Sequence, residues 1–174
     1  MSAAAELSGL FLFRDIPPKA VSNLCILAPP TRFGVGSTVF KQGADADVAL
    51  LLIKGKLEVE VQSDGVGRRV GQVHPGEIVG EQALFSRDGT RSATVLAAED
   101  SQALIINWDL LERASDNPAI VAIERHLMGT LARRVRSTNT AIQKVWKEMD
   151  DIEAPIEKRR FAERIRSLFR GGRA

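Results

Sequence analysis

Glu81 and Arg91 stand ten residues apart across a short loop, within the stretch Gly76-Glu77-Ile78-Val79-Gly80-Glu81-Gln82-Ala83-Leu84-Phe85-Ser86-Arg87-Asp88-Gly89-Thr90-Arg91-Ser92-Ala93-Thr94-Val95. An arginine presents a planar fork of donors that grips two oxygens of an anion at once, and each such charge-assisted bond contributes about 1.5–3 kcal/mol net. Ser92 adds a hydroxyl donor beside it. Gly80 and Ala83 lack bulk, so backbone N–H groups of the turn from Glu81 to Phe85 can approach the same anion. Glu81 accepts only when ionised, so it suits a hydroxyl donor on the ligand and also balances Arg91. The competing reading is an edge-strand arginine and a surface carboxylate. Two residues alone do not decide between them.

Other chemistries find no residues to carry them. One cysteine, Cys25, excludes a disulfide framework and zinc or iron–sulfur clusters, and two histidines are too few for a histidine-built metal site. His74 lies in a His-Pro-Gly turn and His126 on a helix, both read as structural. No nucleophile and base stand at a useful spacing, so no catalytic residue, cofactor or metal is expected. Tyrosine is absent and the seven Phe and two Trp are scattered, which argues against a stacking platform for nucleic acid. The N-terminus lacks the basic start of a signal peptide and the apolar run Val48–Ile53 is too short to span a bilayer, so a cytoplasmic location is expected.

The elements that must hold the loop fall in zones. Residues 1–31 read as helical, with Asp15 capping a helix ahead of Pro17-Pro18 and Pro29-Pro30 ending it. Residues 32–107 read as short strands separated by glycines. They include Thr38–Phe40, Val48–Ile53, Lys56–Val61, Arg68–Val73, Arg91–Ala97 and Gln102–Ile106. The alternation in Lys56-Leu57-Glu58-Val59-Glu60-Val61 marks one buried and one charged face. In that phase Leu57, Val59, Val70 and Val73 would form an apolar wall for the ligand. Residues 108–154 hold a short helix and a long one that starts at Asp116-Asn117-Pro118 and is stopped or kinked by Pro155.

At about 36 residues, roughly 54 Å, that helix is longer than its own domain can cover. Its seam of Leu131, Val135, Thr138, Ile142, Val145, Met149 and Ile152 follows a heptad spacing, which predicts a partner helix from a second copy, with packing on its own barrel as the plainer alternative. Thr138 is the one polar seam position. Residues 155–174 form a basic tail with seven Lys/Arg against four Asp/Glu, and Phe161, Ile165, Leu168 and Phe169 mark one apolar stripe. Such a helix can dock on a protein partner, lie on an acidic membrane surface or touch nucleic acid. Folding back on the barrel or fraying is the plainer alternative. The nearly neutral body argues against DNA binding.

The cassette Gly80-Glu81-Gln82-Ala83-Leu84-Phe85, a short loop and Arg91-Ser92-Ala93 resembles the phosphate-binding cassette of the cyclic nucleotide-binding domain family, above all its bacterial catabolite activator members. Val39-Phe40-Lys41-Gln42-Gly43, the run Leu50 to Val59 and Ala132-Arg133-Arg134-Val135 match the same family in order, over about residues 10 to 145. The resemblance implies an α+β fold, an antiparallel β jelly-roll barrel flanked by N-terminal helices and a long C-terminal helix.

It also implies a ligand, cAMP ahead of cGMP, held by residues 76–95, with Arg91 on the phosphate and Glu81 on the ribose hydroxyl. The resemblance places Thr138 at a base-contacting threonine, and Asn139 where a serine reaches in from the other subunit. Two positions depart from the family: Gln82 stands where an apolar residue is usual, and Asn139 is not serine. With 36 residues after Thr138, no helix-turn-helix domain is expected. The expected protein is a homodimeric sensor that acts through protein contact. A ligand-free dimeric scaffold of the same fold is the alternative.

Overall fold

The computed structural model describes residues 2–63, 65–85 and 89–170, with side chains to residue 149. It divides into two units, Met1–Met128 and Gly129–Ala174. The first unit opens with α1 (Ala3–Ser8), a 3-10 turn (Phe11–Phe13) and α2 (Pro18–Leu27). Eight strands follow: β1 (Thr31–Phe33), β2 (Thr38–Phe40), β3 (Ala49–Lys54), β4 (Leu57–Ser63), β5 (Val66–Val73), β6 (Ile78–Val79), β7 (Thr94–Ala97) and β8 (Ser101–Ile106). A second 3-10 turn (Glu81–Leu84) sits between β6 and β7, and α3 (Trp108–Arg113) and α4 (Pro118–Arg170) end the order.

The strands form two antiparallel sheets, ordered β1-β8-β3-β6 and β2-β7-β4-β5. The first sheet is covered on both faces, which is why β3 reads as the unbroken run Ala49-Leu50-Leu51-Leu52-Ile53. Leu51, Ile53, Leu104 and Ile106 face the helices and pack with Leu7, Phe13, Val21, Leu24, Ile120 and Ile123. On the other face, Leu50, Leu52 and Ala103 meet Leu57, Val73, Val95 and Ala97 between the sheets. This is the antiparallel β barrel with flanking helices that the resemblance implied.

Several local expectations change. Asp15 does not cap α2; Pro17 holds that position with no side-chain bond, and its carbonyl accepts from Ala20 and Val21. Pro18 at the first helical position needs no N–H partner, so a capping side chain is less needed there. The α4 start agrees with its signal: Asn117 Oδ1 accepts from the Ala119 N–H at 2.9 Å, and Asn117 Nδ2 donates to the Ala20 carbonyl at 3.1 Å. Pro155 does not end α4, which continues to Arg170. One proline removes a single N–H, and the good helix formers flanking it can carry the helix past that loss. The short elements α1, β1 and β6 had no periodic signal long enough to read.

In the second unit the heptad seam is uncovered: Val135, Ile142, Val145 and Met149 are 42–60 % exposed. Ile152 and the stripe of Phe161, Ile165, Leu168 and Phe169 lie outside the described side chains. Among the described residues, no helix is long and apolar enough to cross a membrane.

Candidate functional site

The site begins where β6 ends. Gly80 takes φ +76°, a left-handed conformation that turns the chain into the 3-10 turn Glu81–Leu84. The Ala83 N–H closes that turn on the Gly80 carbonyl at 3.1 Å, and the Phe85 N–H bonds the Gln82 carbonyl at 3.0 Å. Those two N–H groups were expected to meet an anion. The i→i+3 bonding of the turn uses them instead.

Arg91 is fixed at both ends of the residue. Its N–H donates to the Ala44 carbonyl at 2.8 Å, and its carbonyl accepts from the Gly43 N–H at 2.8 Å. These bonds, with the bridge between Asp45 and Thr90, hold the segment out of the strand expected from Arg91 onward; β7 starts only at Thr94. The guanidinium turns inward. Nη1 donates to the Val48 carbonyl at 2.8 Å and reaches the Gly80 carbonyl at 3.5 Å. Cζ lies over the Phe40 ring, 3.6 Å from its centroid. Nη2 stands 3.8 Å from Asp47 Oδ1.

Burial separates these groups sharply. Arg91 is 7 % exposed and Glu81 1 %, whereas the Asp47 side chain is 86 % exposed. Loss of hydration pulls the Arg91 pKa below its usual value, and Asp47 opposes that shift. The guanidinium still carries its charge at neutral pH, because arginine starts so far above it. A buried cation paired with a solvated carboxylate 3.8 Å away retains much of its attraction for an anion. Nη1 is spent on carbonyls, so the Nη2 edge is the one that an anion would take.

The other expected residues are brought together only in part. Gly80, Glu81 and Ala83 gather around the turn that Arg91 bonds. Gln82 is exposed, so a polar residue fits where an apolar one is usual. Ser92 is exposed beside buried Arg91, and Ala93 is half-buried. Val73 is buried and Val59 half-buried, both in the inter-sheet cluster with Leu57. Val70 does not join them; it is 59 % exposed. Val59 pairs with Gly71 and Glu60 with Arg69, so Val70 is the extra residue of a β-bulge. Thr138 and Asn139 are exposed on the second unit.

Sequence reasoning missed Phe40, Asp47 and the Val48 carbonyl. Phe40 was noted only as part of a strand–turn motif. A buried arginine needs a face and a carbonyl to rest on, and an aromatic at the end of a neighbouring strand was the one available hint. A backbone carbonyl leaves no mark in the sequence.

The model of a family described as the cyclic nucleotide-binding domain matches residues 30–117. The chain is 28% identical over 130 residues to the CRP-like cAMP-activated global transcriptional regulator of Mycobacterium tuberculosis, covering 74% of this chain and 56% of that protein. It is 33% identical over 133 residues to the acetyltransferase Pat of Mycolicibacterium smegmatis, covering 76% of this chain and 37% of that one. The catabolite activator protein of Thermus thermophilus superposes with a TM-score of 0.63 at 26% identity, over 77% of this chain and 62% of that structure. The chain thus spans about half, or less, of the length of these two curated relatives.

Proposed function

Because the chain belongs to the cyclic nucleotide-binding domain family, we propose that it is a cyclic nucleotide sensor, with cAMP preferred over cGMP, whose output is a protein contact rather than DNA binding or catalysis. The observation that carries this reading is the buried Arg91 guanidinium, backed by Phe40 and by the Val48 and Gly80 carbonyls, with its Nη2 edge facing the solvated Asp47 carboxylate at 3.8 Å, which an anion could displace. Buried Glu81, on the turn that Arg91 bonds, supports the same reading as the acceptor for a ribose hydroxyl. The preference for cAMP rests on Ser92, which fits the adenine-preferring members of the family the chain resembles, and on the relative whose name carries cAMP. The fold alone supports no output, since one fold hosts many functions.

Calorimetric titration with cAMP and cGMP tests the reading. Nucleotide at a hundred times its dissociation constant is expected to stabilise the protein by about 2.7 kcal/mol, a rise of roughly 5–10 °C in thermal midpoint. No heat and no thermal shift at millimolar cAMP or cGMP would remove the ligand.

We infer in addition that two copies pair through α4. The uncovered Val135, Ile142, Val145 and Met149 repeat at heptad spacing and support a coiled-coil seam. Light scattering is expected to give twice the 19.0 kDa chain mass, and Ile142→Glu is expected to return it to one chain mass. A wild-type protein that scatters as a monomer at hundreds of micromolar would sink the pairing.

A further inference from the structure

We propose that Phe40 is a positioning residue for the anion site, its ring holding the Arg91 guanidinium flat so that the Nη2 edge stays presented. The proposal rests on the reading of Arg91 as the phosphate-binding group. A guanidinium has two distinct surfaces. Its faces attract a π-system, and its edges carry the N–H donors. With Cζ over the Phe40 ring at 3.6 Å, the ring takes a face and leaves the edges. The Val48 and Gly80 carbonyls then take Nη1, which sets the rotation of the plane about the stack.

Phe40 is itself held in place. It ends β2 and packs half-buried against the inter-sheet cluster of Leu57, Val95 and Ala97. Three residues later, the Gly43 N–H bonds the Arg91 carbonyl, so backbone and side chain are registered to each other. At Gly80 a Cβ would stand 2.7 Å from both Arg91 Nη1 and Phe40 Cε2, which shows how closely the three groups meet. An aliphatic residue of Phe40's volume would fill the space without holding the plane. The guanidinium would then sample rotations that turn Nη2 away, and each binding event would have to order it again.

The decisive variant keeps the shape of the ring and changes its charge distribution. Incorporating 3,4,5-trifluorophenylalanine at position 40 drains the negative face, and the dissociation constant for cAMP is expected to rise about 2- to 30-fold while the thermal midpoint stays near that of the wild type. Phe40→Leu should weaken binding at least as much. Proton–nitrogen spectra of the nucleotide-free protein give a second readout. The Arg91 side-chain N–H resonances should lie upfield of those of exposed arginines, through the ring current of Phe40, and should return toward them in Phe40→Leu. Unchanged cAMP affinity in the fluorinated protein, or Arg91 resonances indistinguishable from those of exposed arginines in the wild type, would overturn the proposal. If the wild type binds no nucleotide, the ligand reading fails by itself, and the Arg91 resonances still decide whether Phe40 holds the guanidinium.

Discussion

Arg91→Ala is expected to raise the dissociation constant for cAMP by about 30- to 5,000-fold, from the 2–5 kcal/mol typical of truncating one partner of a buried, hydrogen-bonded charge pair. The size follows from burial. Arg91 is 7 % exposed, so its bond to a phosphate would form with little competition from water. The fold should change much less. Truncation strips the Val48 carbonyl of its 2.8 Å donor, a penalty of about 1–3 kcal/mol. It also relieves the desolvation that pulls the Arg91 pKa down, and the two effects oppose each other. Loss of binding with a retained thermal transition is therefore the expected pair of results. Arg91→Lys keeps the charge but not the plane, so it should bind more weakly than the wild type and better than Arg91→Ala. Calorimetry on the three proteins checks the order, and cAMP affinity in Arg91→Ala within threefold of the wild type would end the assignment.

Gly80→Ala is expected to damage both stability and binding. At φ +76° an L-residue is strained by about 1–2 kcal/mol before any contact is considered. The added Cβ would also stand 2.7 Å from Arg91 Nη1 and from Phe40 Cε2. Neither neighbour yields easily, because Nη1 is tied to the Val48 carbonyl and Phe40 is packed between the sheets. A total of roughly 2–5 kcal/mol, or about 5–15 °C in thermal midpoint, is expected, together with a displaced guanidinium and weak cAMP binding. Gly43→Ala isolates the steric part. Its φ of +80° is nearly the same, yet a Cβ there meets nothing within 4 Å. It should therefore show only the conformational strain. Thermal melts in which the two alanine variants are equally stable would contradict the close approach at Gly80.

The parts legible in the chain were those written in short-range pattern. The alternation of Lys56 to Val61 became β4, with Leu57 inside and Glu58 paired to Arg69 at 2.7 Å. The continuous apolar run before Lys54 became β3, and Asn117-Pro118 opened α4. Glu81 and Arg91 were legible as a pair through the whole cassette and its resemblance to the cyclic nucleotide-binding family, since the two residues alone do not separate a ligand site from surface charges. The wall of valines failed at Val70 because Val70 and Val73 are three residues apart, so the two-residue alternation of a strand does not put both on one face, and the β-bulge at Val70 takes it out of the pairing with β4.

By itself, then, the sequence determined which residues could receive an anion and the strands and turns that carry them, since propensity and hydrophobic period act over a few neighbouring residues. What holds the guanidinium was decided only by the tertiary structure. Its carbonyl partner at Val48 lies 43 residues away in the chain, and the Phe40 ring that backs it comes from another strand. Contacts of that kind exist only after the two sheets close, because their geometry depends on the packing between them and not on spacing along the chain.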